Sequence, residues 1–329
     1  MAAQGLMTTQ ATYAPASGRV AVCEAFLRDG IQAWPHFVAT ADKRRVLEAI
    51  VTAGVGEIDA TSFVSRKLVP QFADGEEIIA FADGKVRVRV LAVNADGARR
   101  AVEAHHQVGR IARCGMPFSV SEAHNLANLR RTHAEHRQEL LRMFNILRTG
   151  GIEPLLGVVT AFGCPIRGRV HPDEAMAIAQ WGVDNGITSL MFGDTTGMAN
   201  PAAVADMFAT ARVAWPDVDL IAHFHDNRGA GIANSLAAIA NGATTVDCCL
   251  GGVGGEPKGV EQGVVGDQGN TTSEDLVALL DEMGVSTGVD PARLIEAGAL
   301  AETVLGRKLA SRVQRSGLAA AVGKTTRAA

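Results

Sequence analysis

Short apolar, β-branched runs alternate along the chain with longer stretches that repeat apolar residues at helical spacing. The runs that predict strands are 19–26 (RVAVCEAF), 55–61 (VGEIDAT), 86–93 (VRVRVLAV), 108–112 (VGRIA), 154–162 (PLLGVVTAF), 187–193 (ITSLMFG), 218–224 (VDLIAHF) and 244–250 (TTVDCCL). Helical patterns lie between them at 41–53, 124–149, 172–185, 200–214, 229–241 and 272–283. The strands are short and apolar on both faces, as expected when helices cover a parallel sheet. Strand–helix alternation implies right-handed βαβ units, and eight of them predict a closed (β/α)8 TIM barrel rather than an open doubly wound sheet. Residues after about 285 predict a short C-terminal helical extension and not a second domain. The expected division is a flexible N-terminal segment 1–18, a TIM-barrel catalytic domain with C-terminal helices over 19–313, and a flexible tail 314–329.

Composition changes this picture little. The 329 residues are 47% apolar and 20% charged, ordinary globular usage, with a net charge of −4 that calls for neither nucleic acid nor an anionic membrane surface. No apolar run approaches the ~20 residues that span a bilayer, and the first residues lack a basic segment followed by an apolar core. Five cysteines, sparse and odd in number, predict reduced thiols and a cytoplasmic setting.

In such barrels chemistry sits where strands end and βα loops begin, and the polar residues fall there. His223-Phe224-His225 is the sharpest signal, because residues i and i+2 of a strand project to the same side and two imidazoles then face one ion. Asp29, just beyond strand one, offers a carboxylate, and Asn270 in GDQGN offers an amide oxygen. Two imidazoles, two oxygens and open positions suit octahedral Mg2+ or Mn2+, whereas a structural zinc site recruits cysteines and closes at four ligands. Arg28 beside Asp29 fits two roles on spacing alone, an oxyanion stabiliser or a structural ion pair at the rim. Asp194 in GDTTG is either a proton carrier or a turn cap. The glycine-rich run from Gly251 predicts a loop able to close over substrate, and Glu256 within it is either an acid–base group or a solvated carboxylate. It has neither a P-loop nor a dinucleotide fingerprint. The pair Cys248-Cys249 reads as core packing, and His105-His106 with His133 and His136 read as solvated helix faces.

These motifs resemble the 3-hydroxy-3-methylglutaryl-CoA lyase family and, more broadly, the metal-dependent barrel lyases and synthases that share Arg-Asp-Gly. The resemblance runs from about residue 20 to about residue 313, through RDGIQ, TSFVSRKLVPQFAD, GCP, GDTTG, HFHD, GGVGGEP, GNTTSEDL and TGVDPARLIEAG in order. It implies that Asp29, His223, His225 and Asn270 ligate the ion, that Arg28 stabilises an enolate, and that Asp194 takes part in proton transfer. It implies substrate-binding roles for Gln32, Asp59 and Ser62, with Asp59 one methylene shorter than the acidic residue of the lyases. The implied reaction removes the proton of a tertiary hydroxyl, cleaves the adjacent carbon–carbon bond, and protonates the resulting acetyl-CoA enolate. One departure is plain: the lyases carry a catalytic cysteine in a GGCP loop, where this chain has Glu256, and the stretch from Pro257 to Asn270 is longer than theirs.

The expectation is therefore a divalent-metal-dependent lyase acting on a 3-hydroxyacyl-CoA, cytoplasmic, homodimeric by resemblance, with Glu256 taking the thiol's place. Two other readings stand beside it. One is a synthase that condenses an acyl-CoA with a 2-oxo acid. The other is a barrel that binds acyl-CoA without catalysis.

Overall fold

Runs buried on both faces become strands, and in the computed structural model, which describes residues 18–255 and 269–322, they make one closed barrel. The strands are β1 Ala21–Glu24, β2 Glu57–Ser62, β3 Arg87–Leu91, β4 Arg113–Ser119, β5 Glu153–Val159, β6 Ser189–Asp194, β7 Asp219–Phe224 and β8 Thr245–Cys248. They pair in parallel in chain order, and β8 closes onto β1 with Ala21 opposite Thr245 and Cys23 opposite Asp247. The helices that cover the barrel are α1 Thr40–Thr52, α2 Gly75–Ala82, α3 Ala95–Gln107, α4 Glu122–Leu129, α5 His133–Thr149, α6 Pro172–Asp184, α7 Pro201–Ala214 and α8 Gly231–Ala240. Beyond β8 follow α9 Ser273–Glu282, α10 Pro291–Leu305 and α11 Val313–Ser316. The predicted barrel and its C-terminal helical extension are both present. No helix among the described residues is long and apolar enough to cross a membrane.

The fourth strand is a correction. Residues 108–112 lead into it instead of forming it, because side chains take their amides: Arg110 N donates to Asp83 Oδ1 and Ile111 N to His105 Nδ1. The strand itself, RCGMPFS, carries a glycine and a proline that weaken any strand signal. Pro117 is tolerated because β3 pairs only as far as Gly115, leaving that stretch of β4 with one partner strand. The helix predicted over 124–149 is two helices. Arg130 turns left-handed at φ 54, and a capping box between Thr132 and Glu135 then starts α5. His136 is also corrected: it is fully buried, with Nε2 2.8 Å from Pro117 O and its ring edge-on to Phe118.

The barrel interior is divided. Leu155, Met191 and Ile221 from β5, β6 and β7 form a small apolar layer. Asp59, Arg89 and Asp247 from β2, β3 and β8 are buried charged groups, with Cys23 of β1 buried beside them. At the N-terminal end Arg113 reaches Glu153 at 3.0 Å and also pairs with Asp219, and Ser189 donates to Glu153. That ion-paired plug leaves the C-terminal rim for chemistry.

The expected boundary at 313 coincides with the first residue of α11, whose start is anchored to α9. Asp275 accepts from Arg312 N at 2.8 Å, Val313 N at 2.9 Å and Ser311 Oγ at 3.1 Å, so it caps α11 from α9. Residues 1–17, 256–268 and 323–329 lie outside the described residues.

Candidate metal centre

After β1 the chain makes a single π-helical turn, Phe26–Gly30, closed by Gly30 N donating to Ala25 O at 3.0 Å. The wide turn swings Arg28 and Asp29 over the barrel mouth. On β7 the two-residue strand period aims His223 and His225 the same way. Asn270 pairs with His225 across an isolated bridge. These elements bring one oxygen of Asp29 and a ring nitrogen of each histidine within 4.8 Å of one another. His223 Nε2 is 3.1 Å from His225 Nε2, and Asp29 Oδ2 is 3.7 Å from His225 Nε2. All three side chains are buried.

The donor set fits a divalent cation. Three lone-pair donors converge on one point out of bulk water, which a positive charge between them relieves. Adjacent ligands of an octahedral ion with bonds of about 2.1 Å stand about 3 Å apart, close to the histidine spacing. Burial and the neighbouring His223 push His225 down to about 4, so its ring is neutral and able to ligate at pH 7. Burial alone would raise Asp29, but Arg28, the two imidazoles and the Asn270 amide hold it well below the usual carboxylate range.

Arg28 is gripped on both sides. Its Nη1 donates to Asp29 Oδ1 at 2.6 Å and its Nε to Asp59 Oδ2 at 2.6 Å. Burial opposes its charge, yet the two carboxylates more than compensate and lock the guanidinium in its charged form. The ion-pair role left open by spacing is thus realised, and it fixes the guanidinium beside Asp29. Asn270 arrives at the cluster too, but nitrogen first: Nδ2 donates to Asp29 Oδ2 at 2.7 Å and to Val253 O at 2.9 Å. As oriented it steadies Asp29, and an oxygen ligand requires the amide to turn over.

Asp194 ends β6 fully buried, with Oδ1 accepting from Met198 N at 2.7 Å and Oδ2 from Ala199 N at 3.0 Å. The turn-holding role is therefore present, while Asn200 caps α7 itself. Burial pushes Asp194 up to about 6, against the pull of those two amides. Ser62 spends its hydroxyl on backbone, donating to Leu91 O and accepting from Val64 N, each at 3.3 Å. Gln32 follows the π-turn half-buried, without a hydrogen bond to the cluster among the described residues. Glu256 lies outside the described residues. Cys248 and Cys249 are fully buried, burial pushing both thiols well above their ordinary range, in keeping with core packing.

Two residues of the site escaped the sequence reading. Asp247 on β8 places Oδ2 3.1 Å from His223 Nδ1, and Arg89 on β3 places Nη2 2.7 Å from Asp247 Oδ1. The available signal was a charge inside each of two apolar strands, VRVRV and TTVDCC.

Known proteins resemble the chain in both sequence and fold. The model of the HMGL-like family matches residues 19–301. The (R)-citramalyl-CoA lyase of Chloroflexus aurantiacus is 34% identical over 313 residues, covering 91% of this chain and 95% of that protein. The hydroxymethylglutaryl-CoA lyase YngG of Bacillus subtilis is 31% identical over 300 residues, covering 91% and 97%. Among solved structures, an HMG-CoA lyase of Acinetobacter baumannii in complex with coenzyme A and 3-methylmalate superposes with a TM-score of 0.83 at 33% identity, covering 92% of this chain and 96% of that one.

Proposed function

The chain belongs to the HMGL-like family, and from that premise we propose that it is a divalent-metal-dependent carbon–carbon lyase that cleaves a 3-hydroxyacyl-CoA thioester. The observation that carries the reading is the meeting of Asp29, His223 and His225 at the C-terminal rim of the barrel, beside a guanidinium held between two carboxylates. Mg2+ or Mn2+ bound there supplies Lewis-acid polarisation of substrate oxygens.

The rest of the work falls to the protein. Cleavage of the C2–C3 bond moves its electron pair onto the thioester as an enolate, once the C3 hydroxyl has lost its proton. Arg28 faces that developing negative charge with a cation already desolvated and immobilised, so little reorganisation is needed as charge forms. Asp59 holds Arg28 Nε, and Asn270 holds Asp29 Oδ2. Asp194, raised to about 6, exchanges a proton near neutral pH from a carboxyl tethered to Met198 N and Ala199 N. Glu256, at the family's cysteine position, completes the proton traffic in this reading, and Gln32 and Ser62 belong to its substrate-facing rim. The same reading includes a cytoplasmic setting, in keeping with five free, buried cysteines, and a homodimer, which light scattering measures.

The test strips the protein with EDTA, reloads it with Mn2+ or Mg2+, and follows acetyl-CoA released from 3-hydroxy-3-methylglutaryl-CoA and from citramalyl-CoA. Cleavage of either, lost without metal and restored with it, is the expected result. Turnover confined to acetyl-CoA plus 2-oxo acids, read as free thiol, makes the protein a synthase. Binding of acyl-CoA by calorimetry with no turnover makes it a binding barrel. Glu256→Cys is informative in each case, since gain of 3-hydroxy-3-methylglutaryl-CoA cleavage identifies the residue as the only barrier to that substrate.

A further inference from the structure

His223 turns Nε2 toward the cluster and Nδ1 away from it, into the barrel. There it meets Asp247, the residue opposite it in the β7–β8 register, with Nδ1 3.1 Å from Oδ2. An ionised carboxylate only accepts hydrogen bonds, so this contact requires the proton on Nδ1, and in the neutral ring, the form that can ligate a metal, the Nε2 lone pair is then free. The other oxygen of Asp247 faces Arg89, with Nη2 2.7 Å from Oδ1. Arg89 Nη2 also lies 2.8 Å from Cys23 Sγ, the β1 neighbour of Asp247. Arg89, Asp247 and Cys23 are each 2% exposed or less.

The chain Arg89–Asp247–His223 is expensive as packing. Arg89 Nε and Nη1 carry no hydrogen bond among the described residues, so the guanidinium is desolvated with only part of the return a buried ion pair needs. The opposite side of the same interior is filled by Leu155, Met191 and Ile221, which shows what apolar filling of this barrel looks like. A buried pair that costs stability and terminates on a ring nitrogen of the metal cluster is best accounted for by what it does to that ring.

We propose that Asp247, paired with Arg89, is the positioning residue that fixes His223 as its Nδ1-protonated tautomer and presents Nε2 to the divalent cation. The proposal rests on the reading of Asp29, His223 and His225 as metal ligands. Arg89 supplies the countercharge that keeps Asp247 an acceptor. Removing the carboxylate's second oxygen by Asp247→Asn leaves one oxygen for two donors, His223 Nδ1–H and Arg89, and points an amide at one of them.

Two measurements decide it. In metal-free wild-type protein labelled with 15N-histidine, the His223 resonances, assigned by their loss in His223→Gln, are expected to show a protonated Nδ1 and a bare Nε2. In titrations with MnCl2 alone, Asp247→Asn is expected to bind 10- to 100-fold more weakly, the usual outer-sphere effect, with its circular dichroism unchanged and its fixed tautomer lost. Arg89→Lys is expected to keep the tautomer and Arg89→Met to lose it, a contrast that a purely structural role does not produce. A wild-type His223 protonated on Nε2, or a folded Asp247→Asn that binds Mn2+ within twofold of wild type, overturns the proposal. Should Asp247→Asn not fold, the wild-type spectrum and the Arg89 pair still decide. Should wild type bind no Mn2+, the metal reading falls by itself, and the tautomer still reports on Asp247.

Discussion

Replacing Glu274 by glutamine should make the protein progressively more stable than wild type as pH rises. Glu274 stands in the first turn of α9, and both its oxygens accept Gly251 N, at 3.1 and 2.9 Å. Glu24, at the end of β1, holds the preceding amide, with Oε1 accepting from Leu250 N at 2.9 Å and from Phe26 N at 3.0 Å, and it also takes the Ser273 hydroxyl. Two buried carboxylates therefore fasten the turn at 250–252 that leads from β8 into the glycine-rich run. Burial pushes Glu24 up to about 7; burial, with Glu24 as a nearby like charge, pushes Glu274 up to about 8. Between the unfolded value near 4.5 and about 8, the folded state keeps a proton on Glu274 that the unfolded chain has released. Stability linked to this group is thus complete below about 4.5 and is lost as pH climbs to about 8. At about 1.4 kcal/mol per pH unit the full loss is roughly 5 kcal/mol, and for Glu24, ending near 7, roughly 3 kcal/mol. Glutamine keeps the shape and one acceptor for Gly251 N but does not titrate. Urea unfolding at pH 5 to 9 should show the variant gaining on wild type by about 1.4 kcal/mol per pH unit and levelling off above about 8. Parallel stability curves for the two proteins across that range would refute the reasoning.

Asp29→Asn removes the only anion of the three-residue cluster and leaves Arg28 one carboxylate short; Mn2+ affinity by calorimetry should fall by more than the ~100-fold that outer-sphere changes cost, and an unchanged affinity would remove Asp29 from the site. Gly254→Ala puts a Cβ 2.6 Å from both Asp29 O and Asn270 Nδ2 at φ +105, a conformation that costs a side chain about 1–3 kcal/mol. Its thermal midpoint and its Mn2+ affinity should drop together, whereas a loss of stability with full affinity would mean that the strain does not reach the ligands. All five cysteines are free and at most 1% exposed, so a thiol-reactive dye should label none of them until urea unfolds the chain, and rapid labelling of the native protein would contradict the packing.

Seven of the eight strands were readable because burial on both faces leaves near-continuous apolar runs. The fourth was not, since Gly115 and Pro117 dilute its signal while the decoy 108–112 owes its conformation to bonds from Asp83 and His105 that sequence does not display. Asp29, His223 and His225 were legible because strand periodicity fixes which way the two histidines point, and barrel topology brings the ends of β1 and β7 to one rim. Asp247 and Arg89 were not, because their roles depend on register between strands and on a contact across the barrel interior. The partners of Ser62 were likewise not legible, because its hydroxyl donates to Leu91 O, a group that only the folded sheet brings near.

The polar half of the interior is where stability and chemistry conflict. A barrel filled throughout by residues like Leu155, Met191 and Ile221 would bury apolar area at no electrostatic cost. Along β2, β3 and β8 the protein instead buries Asp59, Arg89 and Asp247, and both carboxylates hold a residue of the rim. Asp59 holds Arg28, and Asp247 holds His223. If those charges served only the fold, apolar replacement of the Arg89–Asp247 pair would leave metal binding intact while raising stability. A role in orienting the rim predicts that the same replacement, Arg89→Met with Asp247→Leu, raises the thermal midpoint and weakens Mn2+ binding at once, and a variant that gained stability with unaltered binding would rule that role out.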